Sequence, residues 1–162
     1  MFRGKRTEKK EFQEKTIEVR RVTRVMAGGK RFSFRAAVVI GDLKGRVGFG
    51  VAKGLDVAQA VQKAIVQARK KMIFVTLKDN RTLLFDVGGK YGAARVRLKP
   101  ARPSHGLIAG GPVRSVLELV GVKDVSAKIL GSTTNKVNNA KAAITALKKF
   151  RALSENQSPK SE

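Results

Sequence analysis

The chain has 162 residues and a formal net charge of +23, with 35 Lys and Arg against 12 Asp and Glu. Self-repulsion of this size is tolerated most easily beside a strongly negative partner, and nucleic acid is the first candidate. A membrane is disfavoured, because the aliphatic run 36–40 is too short to span a bilayer and residues 1–15 lack the apolar segment of a secretory signal. The chain has no Cys, which excludes disulfides and thiolate chemistry and fits a reducing, cytoplasmic location.

The N-terminal half begins with a charged segment followed by two predicted strands. Residues 1–15 are mostly charged, and we expect a flexible basic tail there. Residues 17–26 are β-branched and charged, which favours a strand, and Val19 and Val22 break its alternation as a β-bulge would. Strict alternation over residues 32–40 predicts a second strand with one face on a core.

A third strand and a helix complete this half. A turn at residues 42–45 leads to a returning strand over 47–51. Asp56 is a suitable N-cap, and apolar residues at helical spacing follow it until 69–71, where cations suit the helix dipole. The sequence therefore predicts a β-β-β-α domain over residues 16–71.

The C-terminal half predicts a second small domain over residues 72–153, with 154–162 as a flexible tail. Its predicted strands are 73–77, 83–87, 95–99 and 125–130, and its predicted helices are 109–120 and 137–151. Hydrophobic residues make up 42% of the chain, which is enough for a packed core. The predicted fold class is α+β, and because each half is small we expect the two to pack on one another or on a partner.

The residues do not support an enzyme. The motif around Gly29 and Lys30 lacks both the first glycine and the final hydroxyl residue of a P-loop. His105 is the only histidine, and its sequence neighbours include no carboxylate to orient it. The five carboxylates between residues 43 and 153 have no spacing typical of a metal site or an acid/base pair. We expect no catalytic residue, no metal and no cofactor.

The cations are grouped in a way that is more typical of a nucleic-acid surface than of a merely solvated face. They lie on the first strand, at a hairpin tip formed by two glycines, on a turn, and at both ends of the first helix. Phe32 and Phe34 are interpreted as core, so the surface would bind backbone and shape, as structured RNA is held. The candidate RNA-binding residues are Arg20, Arg21, Arg24, Gly28, Gly29, Lys30, Arg31, Arg35, Lys44, Arg46, Lys53, Arg69, Lys70 and Lys71.

A second candidate site is the glycine-rich segment 106–114, GLIAGGPVR. The free N–H groups at a helix start, together with a nearby arginine, can face a carboxylate of a partner protein. The alternative is a helix start that merely needs a flexible backbone. The candidate partner-contact residues are Gly106, Gly110, Gly111 and Arg114.

Two runs carry a family resemblance. GGKRFSFRAAVVIGDLKGRVGFGVAKG and GLIAGGPVRSVLELVGVKDVSAKILGS, in this order and spacing, resemble the bacterial small-subunit ribosomal protein number five over residues 12–150. The resemblance implies that residues 17–71 are similar to a double-stranded-RNA-binding domain without its first helix. It also implies that residues 72–150 form a sheet with two helices and a left-handed βαβ crossover.

The resemblance implies a function as well. A member of this family would be a structural constituent of the small ribosomal subunit that binds 16S-type RNA, stabilises the head–body junction, and contributes to assembly and translational accuracy. Implied partners are small-subunit ribosomal RNA, the small-subunit proteins numbered four and eight, and messenger RNA near the point where it enters the subunit. The loop containing Lys30 and Arg31 would lie near the spectinomycin site.

The chain departs from the family pattern at residues 80–86, 103–106 and 132–140. Two other classes of protein stay open at this point. A free-standing structured-RNA-binding or ribosome-assembly factor would share the charge and the first domain. A nucleotide-using enzyme would have to bind a nucleoside triphosphate.

Overall fold

The computed structural model describes residues 11–156, with side chains described for 11–150, so most of the two predicted tails lies outside the described residues. The strands are β1 (Gln13–Met26), β2 (Gly29–Gly41), β3 (Arg46–Gly54), β4 (Ile73–Phe74), β5 (Val87–Tyr91), β6 (Ala94–Pro100), β7 (Leu107–Ile108) and β8 (Val125–Ile129). The helices are α1 (Val57–Lys70), α2 (Gly111–Val120) and α3 (Lys136–Asn156). The architecture is α+β with two sheets, as predicted.

The first sheet is antiparallel and has the order β1-β2-β3-β4. Its first strand contains the predicted bulge, but the register shifts between Thr16 and Glu18, ahead of the two valines that predicted it. This strand begins at Gln13, so residues 13–15 are part of the sheet rather than of a tail. At the other end of the chain, α3 continues through residues 154–156, where a tail was expected.

Helix α1 packs closely on the first sheet because both surfaces carry small residues. A Cβ atom at Gly48 or Gly50 would overlap the backbone of α1 at Ala68 or Ala64. The facing alanines of the helix are fully buried. Asp56 caps the helix as predicted, since its carboxylate accepts the N–H of Val57 at 2.7 Å.

The second sheet has the order β5-β6-β8-β7, and only the β7–β8 pair is parallel. Helix α2 connects these two strands and completes a βαβ unit, in which Pro112 lies in the first turn of the helix as predicted. Helix α3 lies against the same sheet, where a Cβ atom at Gly89 would overlap the backbone of Ala142. The left hand of the crossover stays a prediction.

One hydrophobic cluster joins the two domains. Val39 and Phe49 of the first sheet belong to the same buried cluster as Leu117 of α2 and Leu147 of α3. Backbone hydrogen bonds reinforce the contact, because the N–H of Leu43 donates to the carbonyl of Leu119 at 3.1 Å. The two halves therefore pack on one another and share one core.

Two predicted strands are corrected. The segment predicted as strand 73–77 forms a strand only over 73–74, and this strand belongs to the first sheet. The pairing ends there because the N–H of Val75 donates to the carbonyl of Gly45 in a turn. The segment 83–87 is a loop until Val87, and Leu83 enters the core from it. Buried and exposed residues alternate in this loop as they would in a strand, which explains the wrong prediction. The short strand β7 was not predicted.

Candidate nucleic-acid interface

Five of the predicted RNA-binding cations share one face of the first sheet. Arg20 pairs with Arg35, which in turn pairs with Lys53 across three neighbouring strands. Nearer to the hairpin turn, Arg24 pairs with Arg31. Directly paired residues of antiparallel strands point to the same face, so these five side chains form one surface, which we call the cationic ladder.

One carboxylate lies within the cationic ladder. Glu18 is only 9% exposed, and its oxygens lie 2.8 Å from Arg20 Nη2 and 3.7 Å from Arg35 Nη2. A single negative charge leaves the ladder strongly positive. Like charges at directly opposed positions destabilise a sheet, so the arrangement costs the isolated protein stability.

The opposite face of the β1–β2 hairpin is different in character. The guanidinium carbon of Arg21 lies 4.6 Å from the ring centroid of Phe32, whose side chain is about half exposed. Phe34 packs against the core beneath α1, as predicted. Phe32 is not a core residue, which corrects the prediction, because β2 extends past the helix that would have covered it.

The hairpin turn is formed by Ala27 and Gly28, since Met26 pairs with Gly29. Gly29 has a φ of 137°, which a residue with a side chain rarely adopts. Lys30 and Arg31 are therefore the second and third residues of β2 rather than the tip itself. They point to opposite faces of the hairpin, so the predicted loop pair is split between two surfaces.

The remaining predicted cations lie at the far end of the same sheet. Lys44 lies in the β2–β3 connection and Arg46 is the first residue of β3. The carboxylate of Asp42 holds that turn by accepting both of their backbone N–H groups at 2.8 and 2.9 Å. Arg69, Lys70 and Lys71 lie at the end of α1 that packs beside Gly48, close to this turn. The strand length from Arg31 to this end is about 30 Å. The predicted cations thus fall into three groups: the ladder, the opposite face of the hairpin with Arg21 and Lys30, and this far end of the sheet.

One cation beside the ladder was not predicted from the sequence. Lys63 lies on the exposed side of α1 and lines an open groove with Arg35 and Lys53, whose volume is about 660 Å³. Its position on the polar face of the helix was visible in the sequence. Only the packing of α1 on β3 reveals that this face lies beside the ladder.

The predicted partner-contact segment is organised around Asp124. The N–H of Gly106, whose φ is 78°, donates to Asp124 Oδ1 at 3.0 Å, and Arg81 Nε donates to Oδ2 at 3.0 Å. Asp124 is buried, and the hydrogen bond from Gly106, together with that from Arg81, holds the pKa of its carboxyl below the ordinary value. Two of the segments that depart from the family pattern therefore meet at one carboxylate.

The start of α2 is open to solvent, but Arg114 in this helix already has an ion-pair partner. Gly110 and Gly111 are exposed, and no side chain caps the helix. Arg114 Nε donates to Glu118 Oε1 at 3.0 Å, and Glu118 also pairs with Lys15 at 2.6 Å. These contacts, that from Lys15 first, lower the pKa of Glu118. Gly106 precedes β7, whereas the other three candidates follow it.

The structure locates the residues that were considered for metal binding and catalysis in the sequence. Within residues 11–156, no group of three or more His, Cys, Asp or Glu side chains could hold a metal ion. His105 is exposed in a loop, where its backbone N–H donates to the carbonyl of Arg102. The helices of this part of the chain are too short or too polar to cross a membrane.

Comparisons with known proteins agree with the geometry. The family models described as ribosomal protein S5, N-terminal domain, and ribosomal protein S5, C-terminal domain, match residues 12–76 and 89–159. The chain is 49% identical over 146 residues to the small ribosomal subunit protein uS5 of Brucella anthropi, covering 90% of this chain and 78% of the relative. It is 47% identical to uS5 of Nostoc punctiforme, covering 94% and 88%.

A third relative is longer than this chain. The uS5 protein of Gloeobacter violaceus is 52% identical over 145 residues, which are 90% of this chain and 65% of that relative. Each of the two family models matches one of the two domains of the structure, and the similarity to the relatives extends over both domains. The chain belongs to the ribosomal protein S5 family.

Proposed function

We propose that this chain is a structural constituent of the small ribosomal subunit and binds ribosomal RNA through the cationic ladder. The observation that carries the proposal is the direct pairing of Arg20 with Arg35 and of Arg24 with Arg31. Such pairs destabilise a free sheet, and a phosphate backbone placed against them removes the repulsion. Membership of the family supplies the ribosomal context.

The mode of binding follows from the residue types. Arginine and lysine contact phosphates and fix the orientation of the protein, whereas base edges are read by other groups. The ladder has no aromatic platform on its own face, so binding depends on RNA shape and charge. The protein itself performs no catalysis in this proposal, and its role is to hold RNA segments at the head–body junction during assembly and translation.

Sedimentation separates this proposal from a free-standing RNA-binding or assembly factor. We expect the tagged full-length protein to co-sediment with mature small subunits and translating ribosomes in sucrose gradients, at moderate and at high salt. An assembly factor would appear on precursor particles and be absent from mature subunits. Recovery of the protein only in the free fraction or on precursors would contradict the proposal.

The segment around α2 is proposed to contact a neighbouring small-subunit protein, with number four as the expected partner. Its support is the exposed helix start at Gly110 and Gly111 and the half-exposed Arg114. Closure of a two-state interface responds to a few kcal/mol of interface energy. Contacts with protein number eight and with messenger RNA are proposed on the family resemblance alone.

A fidelity reporter tests this contact. Arg114→Leu removes the charge, and Gly106→Arg places a side chain at a φ of 78°, where it is strained. We expect both variants to assemble into subunits and to raise misreading severalfold. Lys123→Gln, which removes an exposed charge from the loop after the C-terminal end of α2, is the control. Wild-type fidelity in correctly assembled Arg114→Leu ribosomes would refute the proposed contact.

A further inference from the structure

Two segments of the chain that are distant in the sequence meet at one buried carboxylate. Within residues 11–150, Asp124 is the only charged residue that is buried, with 2% of its surface exposed. Its oxygens accept hydrogen bonds from both segments, since Gly106 donates to Oδ1 and Arg81 donates to Oδ2, each at 3.0 Å. Burying a charge is costly unless the charge is paired and hydrogen-bonded. The carboxylate therefore ties the positions of its two donors to one another.

A tight turn fixes the backbone of Arg81. Asp79 and Asn80 have φ values of 52° and 50°, and positive φ at two successive residues is typical of the centre of a type I′ turn. The N–H of Arg81 donates to the carbonyl of Lys78 at 3.0 Å and closes this turn. Asp and Asn adopt positive φ more readily than most residues. The local sequence thus places the arginine at a defined position.

The same turn is bound to the loop between α2 and β8. The carbonyl of Arg81 accepts the N–H groups of Lys123 and Asp124 at 2.8 and 3.1 Å. The hydroxyl of Thr82 donates to the carbonyl of Asp124 at 2.6 Å. These bonds join backbone to the turn and do not involve the carboxylate. The turn therefore stays attached to this loop when only the arginine side chain is changed.

Gly106 depends more strongly on the carboxylate. Its carbonyl accepts the N–H of Val125 at 3.2 Å, and the strand β7 that follows it pairs with β8 over only two residues, Leu107 and Ile108. Such a short pairing supplies few hydrogen bonds. The bond from Gly106 to Asp124 is therefore a substantial part of what holds the segment in front of α2.

We infer that Arg81 is a positioning residue for the proposed contact with a neighbouring small-subunit protein. Arg81 is not one of the candidate contact residues and acts through Asp124, whose carboxylate holds Gly106. The inference rests on the proposed function and deepens it. Removing one partner of a buried ion pair leaves an uncompensated charge, so the carboxylate turns toward solvent and releases Gly106. The side chain of Arg81 is itself 47% exposed, so its replacement opens no cavity.

The test uses assembled ribosomes that contain Arg81→Gln. We expect normal assembly and a misreading level that is raised severalfold, but less than by Gly106→Arg, because the effect is indirect. In isolated small subunits, hydrogen exchange followed by mass spectrometry should show lower protection of the peptide that contains Gly106. Arg81→Lys keeps a charged donor for Asp124 and should restore most of the wild-type fidelity.

Two matched controls lie in the same turn. Thr82→Val removes the hydrogen bond to the carbonyl of Asp124 but leaves the carboxylate and both of its donors. It should lower the stability of the free protein without raising misreading. Lys78→Gln removes one exposed positive charge, and it should leave both fidelity and protection at Gly106 unchanged.

A double variant tests whether Arg81 acts through Gly106. Effects of independent sites add in free energy, whereas effects that pass through one shared interaction do not. We therefore expect Arg81→Gln/Gly106→Arg to misread no more than Gly106→Arg alone. A further increase in the double variant would overturn the inference.

The other outcomes separate this inference from the proposed contact. Wild-type fidelity in Arg81→Gln ribosomes, with misreading still raised by Arg114→Leu, would overturn the positioning role and leave the contact standing. Equal misreading in Arg81→Gln and Thr82→Val would assign the effect to a loosened turn and would also overturn it. Failure of Arg81→Gln to assemble would do the same, because a residue that only positions this contact is not needed for assembly. Wild-type fidelity in Arg81→Gln, Gly106→Arg and Arg114→Leu ribosomes would reject both proposals.

Discussion

The two halves of strand β2 have opposite surroundings although they form one continuous strand. From Ala36 to Gly41 every residue is buried, because α1 covers one face and the second domain covers the other. From Gly29 to Arg35 the strand leaves both layers, with Phe34 as the last residue beneath α1, and its residues are exposed or half-buried. The backbone pairing is the same in both halves. The covering elements therefore decide whether the strand serves the core or a partner.

The composition of each half follows from this difference. The buried half consists of aliphatic residues on both faces, and their removal from water contributes roughly 25 cal/mol for each Å² of apolar surface. The uncovered half carries opposed cations on one face and an arginine stacked on an aromatic ring on the other. The buried half therefore contributes most of the stability of this strand, and the uncovered half carries the charge that is proposed to bind RNA. Four experiments test how sharp this division is.

The largest effect is expected at the covered half of the sheet. A Cβ atom at Gly50 would overlap the carbonyl oxygen of Ala64, so α1 must move away from β3. We expect Gly50→Ala to lower the free energy of unfolding by about 2–3 kcal/mol. Gly28→Ala, in open space at the hairpin turn, should change it by less than about 0.5 kcal/mol. Urea denaturation measures both, and equal effects would contradict the division.

The cationic ladder should affect binding rather than folding. In the ladder variant Arg20→Gln/Arg24→Gln/Arg31→Gln, the slope of log K against log salt for RNA should fall by about 0.7–0.9 per lost phosphate contact. Stability should be unchanged or slightly higher, because opposed like charges are relieved. Filter binding over a salt series gives the slope. A slope equal to that of the wild-type protein would remove the ladder from the RNA surface.

Acid should loosen the segment around Gly106 before it affects the hairpin. The hydrogen bonds of Asp124 from Gly106 and Arg81 lower the pKa of its carboxyl in the folded protein. Because the folded pKa lies below the unfolded value of about 4, this stabilisation is present above pH 4 and is lost as the pH falls through the folded pKa. The protection factor of the Gly106 amide, which is its intrinsic exchange rate at each pH divided by the observed rate, should fall in that range.

The matched variant for this acid effect is Asp124→Asn. It keeps the size of the side chain but cannot lose a charge, so amide exchange at Gly106 should no longer depend on protonation at this position. Amides in the arm of the β1–β2 hairpin serve as the internal reference. If Gly106 is equally protected at pH 3 and pH 6 in the wild-type protein, Asp124 does not hold the segment through its charge.

The smallest effect is expected on the other face of the hairpin. Arg21 stacks on Phe32 at an exposed site, where such contacts are worth about 0.5–1 kcal/mol. Arg21→Gln should lower stability by about 0.5 kcal/mol, whereas Arg24→Gln, from the ladder face, should not lower it. Thermal unfolding compares the two. A larger loss in Arg24→Gln would mean that the ladder stabilises the free protein.

Local features of the sequence predicted much of the fold because they depend on neighbouring residues. The alternation over 32–40, the cap at Asp56 and the helical spacing after it all act within a few residues, and the structure confirms the strand, the cap and the helix. The single buried face that the alternation predicted is wrong for residues 36–41, because the second domain covers the other face as well. The strand predicted over 83–87 is wrong because Leu83 is buried by residues distant in the sequence while its backbone stays irregular. The core position predicted for Phe32 is wrong for a different reason. Its sequence pattern is that of a core strand, but no helix covers it.

The candidate sites show the same limit. The residue types and the net charge of +23 indicated a polyanionic partner, because charge is additive and needs no structure. Which cations act together was decided by strand register, which joins Arg20 to Arg35 and Lys53 and separates Lys30 from Arg31. The exposed cations of β5, β6 and β8 likewise share one face only because these strands are neighbours and helices cover the other side. Composition and periodicity are properties of the chain, whereas a surface is defined by which elements pack together.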